Sequence, residues 1–129
     1  MGYRSDVMCI MYAADAFGHT DEGGMAFIKA WVKNRLANDE HEMLERFDFQ
    51  DDMVVFEAQG WKWYESYADI AMLDKLFADF IGVCDADEGD NTYHLEFIRI
   101  GENIDDIEIR ESNHCRGWLR VSRSIYIDK

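Results

Sequence analysis

Apolar residues follow two different periods along this chain, and the changes of period mark its predicted elements. Residues 5–13 are apolar on both alternating faces, which is typical of a strand that is covered on both sides and central in its sheet. From Met25 the period becomes helical. A second helical stripe runs from about Ser66 to Gly82. The pattern therefore predicts a central strand and two amphipathic helices.

Two stretches between these elements contain glycines that interrupt the pattern. Residues 15–24 read as a loop in which Gly23 and Gly24 act as breakers, so the first helix is expected to begin after them. Residues 52–66 predict two short strands around Gly60.

The last third of the chain predicts three further strands, over residues 93–100, 105–111 and 119–128. A short turn joins the first two. In the middle strand, Ile107 and Ile109 are expected to point inward, which leaves Glu108 and Arg110 outward. On the last strand one face carries the apolar residues Leu119, Val121, Ile125 and Ile127.

The order of elements is thus strand, helix, two strands, helix and three strands. Because each helix has one apolar face, both helices can cover the same face of a mostly antiparallel sheet. We predict a single α+β domain over residues 1–129: a two-layer sandwich with a ferredoxin-like core order and a C-terminal hairpin extension.

The charge narrows the possible partners. The chain has 13 Lys and Arg against 27 Asp and Glu, a formal net charge of −14. Residues 48–111 hold four of the basic and 18 of the acidic residues, so the excess lies in the middle of the chain. This balance argues against direct binding to nucleic acid or to anionic membranes. It favours a partner protein that has a basic surface. No apolar run approaches 18 residues and the N-terminus lacks a secretory pattern, so we expect a cytoplasmic protein.

Catalytic and metal signatures are weak. Cys9, Cys84 and Cys115 are widely spaced, which predicts buried thiols and neither a disulfide framework nor a zinc site. We expect no catalytic residue, no metal and no cofactor. A calcium loop starting at Asp85 is disfavoured because Asp90 stands where the sharp turn needs glycine, and a solvated loop is the better interpretation.

The acidic middle is the main candidate for a functional surface, with carboxylates standing where phosphates would in the groove of a nucleic-acid-binding protein. The candidate partner-binding carboxylates are Asp74, Asp85, Asp87, Glu88, Asp90, Glu102, Asp105 and Asp106. Asp74 is expected to face outward from the second helix. Tyr64 and Tyr67 are the candidate aromatic anchors, whereas Trp61 and Trp63 are expected to pack against a helix. The alternative is that the acidity serves solubility alone.

Four segments of the chain carry a resemblance. "MGYRSDV", "WKWYESYADI", "EFIRIGENIDDIEIRES" and "VSRSIYID" resemble small acidic hypothetical proteins encoded by tailed bacteriophages. That family has no assigned activity, so no catalytic residue is carried over. The resemblance implies an accessory factor that binds and blocks a host protein, for example a CRISPR or other defence component, in the infected bacterial cell.

Two further hypotheses remain open. The protein is alternatively a small-ligand or nucleotide-binding module that sequesters a signalling molecule in a pocket lined by Arg99, Arg110, Arg120, Arg123 and Tyr126. For these arginines the simpler interpretation is cross-strand ion pairing with nearby glutamates. An enzyme ranks third, since no nucleophile–base or metal set is visible. Either a monomer or a homodimer formed through an exposed edge strand is compatible with the sequence.

Overall fold

The computed structural model describes residues 3–39, 42–86, 92–103, 105–121 and 125–128. The elements in chain order are β1 (Ser5–Ala13), α1 (Glu22–Arg35), a 3₁₀ turn (Met43–Arg46), β2 (Phe47–Phe49), β3 (Val54–Trp61), α2 (Ala68–Ala86), β4 (Tyr93–Gly101), β5 (Ile107–Glu111), β6 (Leu119–Val121) and β7 (Ile125–Ile127).

The main sheet has five strands in the order β2-β3-β1-β4-β5, and every neighbouring pair is antiparallel. Strand β3 lies between β1 and β2, and β1 lies between β3 and β4, so two βαβ units interleave as in a ferredoxin-like core. The predicted α+β sandwich is confirmed. Strand β1 is central, and its residues from Val7 to Ala13 are all buried, as the two-sided apolar pattern predicted.

One face of the sheet, called here the helix face, packs against α2. Cys9 lies opposite Phe56 on β3 and opposite Phe97 on β4, so these three side chains share that face. The Phe77 ring of α2 contacts both phenylalanines, at centroid distances of 5.8 Å to Phe56 and 5.7 Å to Phe97. Trp63 is buried beside the same two rings, so its contacts here are with the sheet. Trp61 is half-buried and its ring meets that of Phe56.

The opposite face, called here the hairpin face, is covered by the C-terminal segment. The predicted single strand over 119–128 is wrong, because β6 and β7 pair with each other and not with the main sheet. The four apolar residues still share a face, since Leu119 lies opposite Ile127 and Val121 lies opposite Ile125. Just before β6, Trp118 stacks on Tyr12 of β1 at 4.3 Å. The alternation of apolar and polar residues over 119–128 is compatible with one long strand as well as with two short strands that pair, so the pattern alone does not distinguish them.

Helix α1 begins three residues earlier than predicted, and both predicted breaker glycines lie in its first turn. Asp21 caps the helix, its carboxylate accepting a hydrogen bond from the Gly24 amide at 2.8 Å. A Cβ at Gly24 would lie 2.6 Å from the Cβ of Ala13, so the glycine allows the helix start to approach β1 closely.

The strands between the helices also differ from the prediction. They are β2 and β3, and Gly60 does not separate two strands but lies within β3 with a φ of +67°. The pairing of β3 with β1 shifts register between Ser5 and Val7, next to this glycine. Gly60 therefore permits a register shift within one strand. The sequence predicts a strand end at this position because glycine often interrupts strands.

The predicted orientation of β5 is wrong. Ile107 and Ile109 are 44% and 59% exposed, whereas Glu108 and Arg110 lie on the helix face and are only half-exposed. The reason is that β5 is the edge of the sheet. The C-terminal hairpin contacts β1 and β4 and leaves both isoleucines largely uncovered.

Candidate protein-binding surface

Several predicted site residues converge where β1 begins and β4 turns into β5. We call this group the tyrosine–carboxylate end; its members are Tyr3, Tyr64, Tyr67, Glu102, Asp105 and Asp106. The turn is held by the Gly101 amide, which donates to the Asp106 carbonyl at 2.8 Å. A Cβ at Gly101 would overlap the Asp106 carboxylate and the Tyr3 hydroxyl, so glycine makes room for both groups.

Tyr3 connects the parts of this end. Its amide donates to the Tyr64 hydroxyl at 2.5 Å, and its own hydroxyl donates to the Asp106 carboxylate at 2.6 Å. The same hydroxyl accepts from the Asn103 amide at 3.0 Å. The Tyr64 and Tyr67 rings meet edge to face at 5.2 Å, which positions Tyr67 beside the network. The tyrosines and the acidic turn therefore form one connected unit.

A ladder of alternating charges supports this end from the helix face. The Arg99 guanidinium donates to Asp106 at 2.9 Å and to Glu108 at 3.1 Å. Arg110 then contacts Glu108 at 2.6 Å and Asp74 at 3.3 Å. The contact between Arg99 on β4 and Glu108 on β5 confirms the predicted cross-strand ion pairing for Arg99. For Arg110 the prediction is wrong, because its partners are Glu108 on its own strand and Asp74 on α2.

The ladder shifts the protonation of its members. The hydrogen bond from Arg99, and after it the one from Tyr3, lowers the pKa of Asp106. At Tyr3 the Asn103 amide acts to lower the pKa, but the hydrogen bond to Asp106, desolvation and the charge of that carboxylate together raise it. Asp106 is therefore ionised and Tyr3 is a hydrogen-bond donor at neutral pH.

Asp74 does not point outward as the sequence suggested. Its side chain is 17% exposed and lies between α2 and the sheet, next to Arg110. Burial raises the pKa of Asp74, while Arg110 opposes the shift. The prediction of an outward Asp74 is wrong because the helix stripe does not show that an arginine on β5 reaches back to meet it.

Asp85 lies far from the tyrosine–carboxylate end. It is exposed near the end of α2 and accepts a hydrogen bond from the Asn113 amide at 3.0 Å. The start of α2 adjoins Tyr67, and 19 helical residues span about 28 Å. The other predicted carboxylates in this stretch, Asp87, Glu88 and Asp90, are outside the described residues. The predicted acidic residues therefore do not gather in one patch.

The most exposed groups at the tyrosine–carboxylate end are Tyr67, 44% exposed, and the carboxylates of Glu102 and Asp105. Glu102 also accepts from the Arg4 amide at 2.8 Å, which anchors it to the segment before β1. Sequence reasoning missed Tyr3 and Arg4, because their contacts join residues about a hundred positions apart and no local pattern marks them.

A second polar cluster, also missed, lies under the C-terminal segment. The hydroxyl of buried Tyr12 donates to buried Glu96 at 2.5 Å and accepts from the Arg116 amide at 2.8 Å. Glu96 accepts from the amides of Leu119 at 3.1 Å and Trp118 at 3.3 Å. Desolvation and the hydrogen bond to Glu96 raise the pKa of Tyr12. This cluster fixes the C-terminal segment on the sheet.

The cysteines have the character of structural thiols. Cys9 and Cys84 are buried as predicted, and Cys115 is half-buried. Desolvation raises the pKa of Cys84 to about 12 and that of Cys115 to about 11, so both are protonated at neutral pH. Within the described ranges, no group of three His, Cys, Asp or Glu side chains is arranged to hold a metal ion.

The arginines of the alternative ligand pocket do not converge. Arg99 and Arg110 lie on the helix face, while Arg120 and Tyr126 are paired on the exposed side of the C-terminal hairpin. Arg123 is outside the described residues. A cavity between the β4–β5 pair and residues 117–119 measures about 140 Å³, below the roughly 300 Å³ that small-ligand pockets reach.

No protein-family model, curated protein or solved structure matches this chain. Among the described residues, no helix combines the length and the apolar character needed to span a membrane. The function is therefore inferred from the chain's own residues and geometry.

Proposed function

We propose that this protein is a non-enzymatic binding protein that docks its tyrosine–carboxylate end on a basic surface of another protein. The observation that carries the proposal is the exposure of Tyr67, Glu102 and Asp105 on a base held by Tyr3 and Asp106. Exposed groups on a preorganised base lose little conformational freedom on binding, which favours affinity.

The charge supports the choice of partner. A net charge of −14 repels nucleic acid and attracts basic protein surfaces over the range of a Debye length. Glu102 and Asp105 supply carboxylates that arginine and lysine side chains bind, and Tyr67 supplies an aromatic anchor of the kind that is common at interface centres. Binding of this type acts stoichiometrically, by covering the partner's surface.

The distribution of reactive groups supports a role without catalysis. Tyr12, Glu96 and Cys115 lie under or beside the C-terminal segment and are engaged in hydrogen bonds that hold it. Burial raises the pKa of Tyr12 and of Cys115, so neither is available as a nucleophile near neutral pH.

The resemblance to small acidic proteins of tailed bacteriophages indicates the biological setting of the proposal. We propose that the partner is a bacterial host protein, either a defence factor such as a CRISPR component or another nucleic-acid-binding factor. Its basic groove would bind the carboxylates in place of phosphates, in the cytoplasm of the infected cell.

The test is a pull-down from bacterial lysate at low and high salt, followed by identification of the retained protein by mass spectrometry. The purified candidate is then titrated with this protein, and its nucleic-acid binding is measured. We expect inhibition with a stoichiometric end point, weakened by raised salt.

Matched variants separate a specific surface from general acidity. Glu102→Gln with Asp105→Asn removes two charges at the proposed surface, and Asp48→Asn with Glu57→Gln removes two exposed charges on β2 and β3. We expect only the first pair to weaken binding markedly. Equal weakening by both pairs would mean that net charge alone drives binding and would contradict the proposed site.

A further inference from the structure

Strand β5 forms an edge of the main sheet, and of the elements described only β4 pairs with it. In this strand Ile107, Ile109 and Glu111 are exposed, and the alternate residues Glu108 and Arg110 are half-exposed and form an ion pair. The strand contains neither proline nor lysine, the residues that commonly protect edge strands from pairing.

The hydrogen bonds at both ends of β5 determine which of its backbone groups face outward. The Gly101 amide donates to the Asp106 carbonyl, and the Ser112 amide donates to the Leu95 carbonyl. Even-numbered residues of this stretch therefore bond toward β4. In an antiparallel ladder, alternate residues point the other way, so Ile109 and Glu111 direct their N–H and C=O groups to the open edge. Ile107 directs its C=O group there as well, while its amide donates to the Asp105 carbonyl at 3.1 Å.

We propose that a second copy of this chain pairs with β5 across a two-fold axis at Ile109, which joins two five-stranded sheets into one. In this register Ile109 of each copy bonds to Ile109 of the other, and Ile107 bonds to Glu111. The N–H and C=O groups of Ile109, the C=O group of Ile107 and the N–H group of Glu111 are then matched with outward groups of the second copy. This edge adjoins the tyrosine–carboxylate end at Asp106 but contains none of its six members, and the proposal does not depend on the proposed function.

Charge complementarity selects this register. With Ile109 on the axis, Glu108 of each copy lies opposite Arg110 of the other on the helix face. The outward backbone groups match again when one strand shifts by two residues along the other. A shift in one direction places Glu108 opposite Glu108, and a shift in the other direction places Arg110 opposite Arg110. Both alternatives set like charges against each other, which destabilises a strand pair.

The apolar side chains agree with the same partner. Ile109 is more exposed than Ile107, the other isoleucine on β5. In this register the Ile109 side chain packs against Ile109 of the second copy, on the hairpin face. The opposite edge of the sheet, β2, has only three residues and offers a shorter ladder.

The first test is sedimentation velocity over a range of concentrations. We expect reversible dimers at about 10–100 μM, since a short strand interface binds weakly. Ile109→Lys places two like charges on the axis, and we expect it to weaken dimerisation by at least about tenfold. Phe17→Lys is the matched control, because Phe17 is 85% exposed and lies away from β5. A wild-type monomer at all concentrations, or an unaffected Ile109→Lys dimer, would overturn the proposal.

Disulfide trapping tests the register in a Cys115→Ser background, in which Cys9 and Cys84 are buried. Ile109→Cys should give a covalent dimer on oxidation, because residues that face each other across antiparallel strands lie about 5.5 Å apart at Cα. Ile107→Cys should not, since its neighbour on the second copy is Glu111. Circular dichroism checks that each variant is folded, and efficient trapping of Ile107→Cys alone would exclude the proposed register.

Discussion

Two tyrosine–carboxylate pairs hold distant parts of this chain together, one near the surface and the other in the interior. Tyr3 donates to Asp106 at 2.6 Å, and Tyr12 donates to Glu96 at 2.5 Å. Asp106 also contacts Arg99 and is partly exposed, whereas Glu96 is buried and accepts from the backbone amides of the C-terminal segment.

The difference shows that the surroundings of a pair determine its role more than its chemistry does. At the surface, water replaces a lost partner, so the Tyr3 pair mainly orients the neighbouring turn. In the interior nothing replaces a lost acceptor, so the Tyr12 pair contributes strongly to stability. We therefore expect the outer pair to matter for binding and the inner pair to matter for folding.

Removing the buried carboxylate is expected to have the largest effect. Glu96→Ala would leave the Tyr12 hydroxyl and the amides of Trp118 and Leu119 without their acceptor. Since each unmet buried donor costs about 1–3 kcal/mol, we expect unfolding free energy to fall by about 4 kcal/mol. Urea denaturation measures the change, and Glu57→Ala on the exposed part of β3 is the control, with an expected change within about 0.5 kcal/mol. Equal losses in both variants would contradict the stabilising role of the buried Glu96 carboxylate.

Tyr12→Phe is expected to have an intermediate effect. It keeps the ring that stacks on Trp118 but removes the hydroxyl between Glu96 and the Arg116 amide. We expect a loss of about 1.5–2 kcal/mol in unfolding free energy. Tyr3→Phe is the comparison variant, and thermal melts should show a clearly smaller shift for it. A larger shift for Tyr3→Phe would reverse the assignment of the two roles.

The smallest expected effect is on the pH dependence of stability, through Asp106 of the outer pair. Because Arg99 and Tyr3 lower the pKa of Asp106 in the folded state, this carboxyl contributes stability above its unfolded pKa of about 3.9. That contribution is lost as the pH falls through the lower folded-state pKa. Asp106→Asn should therefore reduce the loss of stability below about pH 4, measured by urea midpoints between about pH 2.5 and 5. Parallel profiles for the two proteins would contradict this role of Asp106.

Much of the fold follows from local patterns in the sequence. The two-sided apolar run of β1 predicts a central strand, and the helical stripes predict two covering helices, because burial on a regular element repeats with its period. The ion pair of Arg99 with Glu108 follows from their positions on adjacent strands. Within the site, Tyr64, Tyr67 and the acidic turn could be proposed from composition and spacing.

Other features depend on contacts between distant segments. A stripe on Ile107 and Ile109 shows that one face of β5 is apolar, but only the tertiary structure shows that the hairpin leaves this face largely exposed. Likewise, no local signal indicates that Asp74 turns inward to Arg110, or that Tyr3 meets Asp106 across 103 positions. The sequence by itself determined the elements and their apolar faces, because these depend on neighbours within a few residues. The tertiary structure decided what covers each face and which carboxylates remain exposed, because these depend on residues that folding brings together.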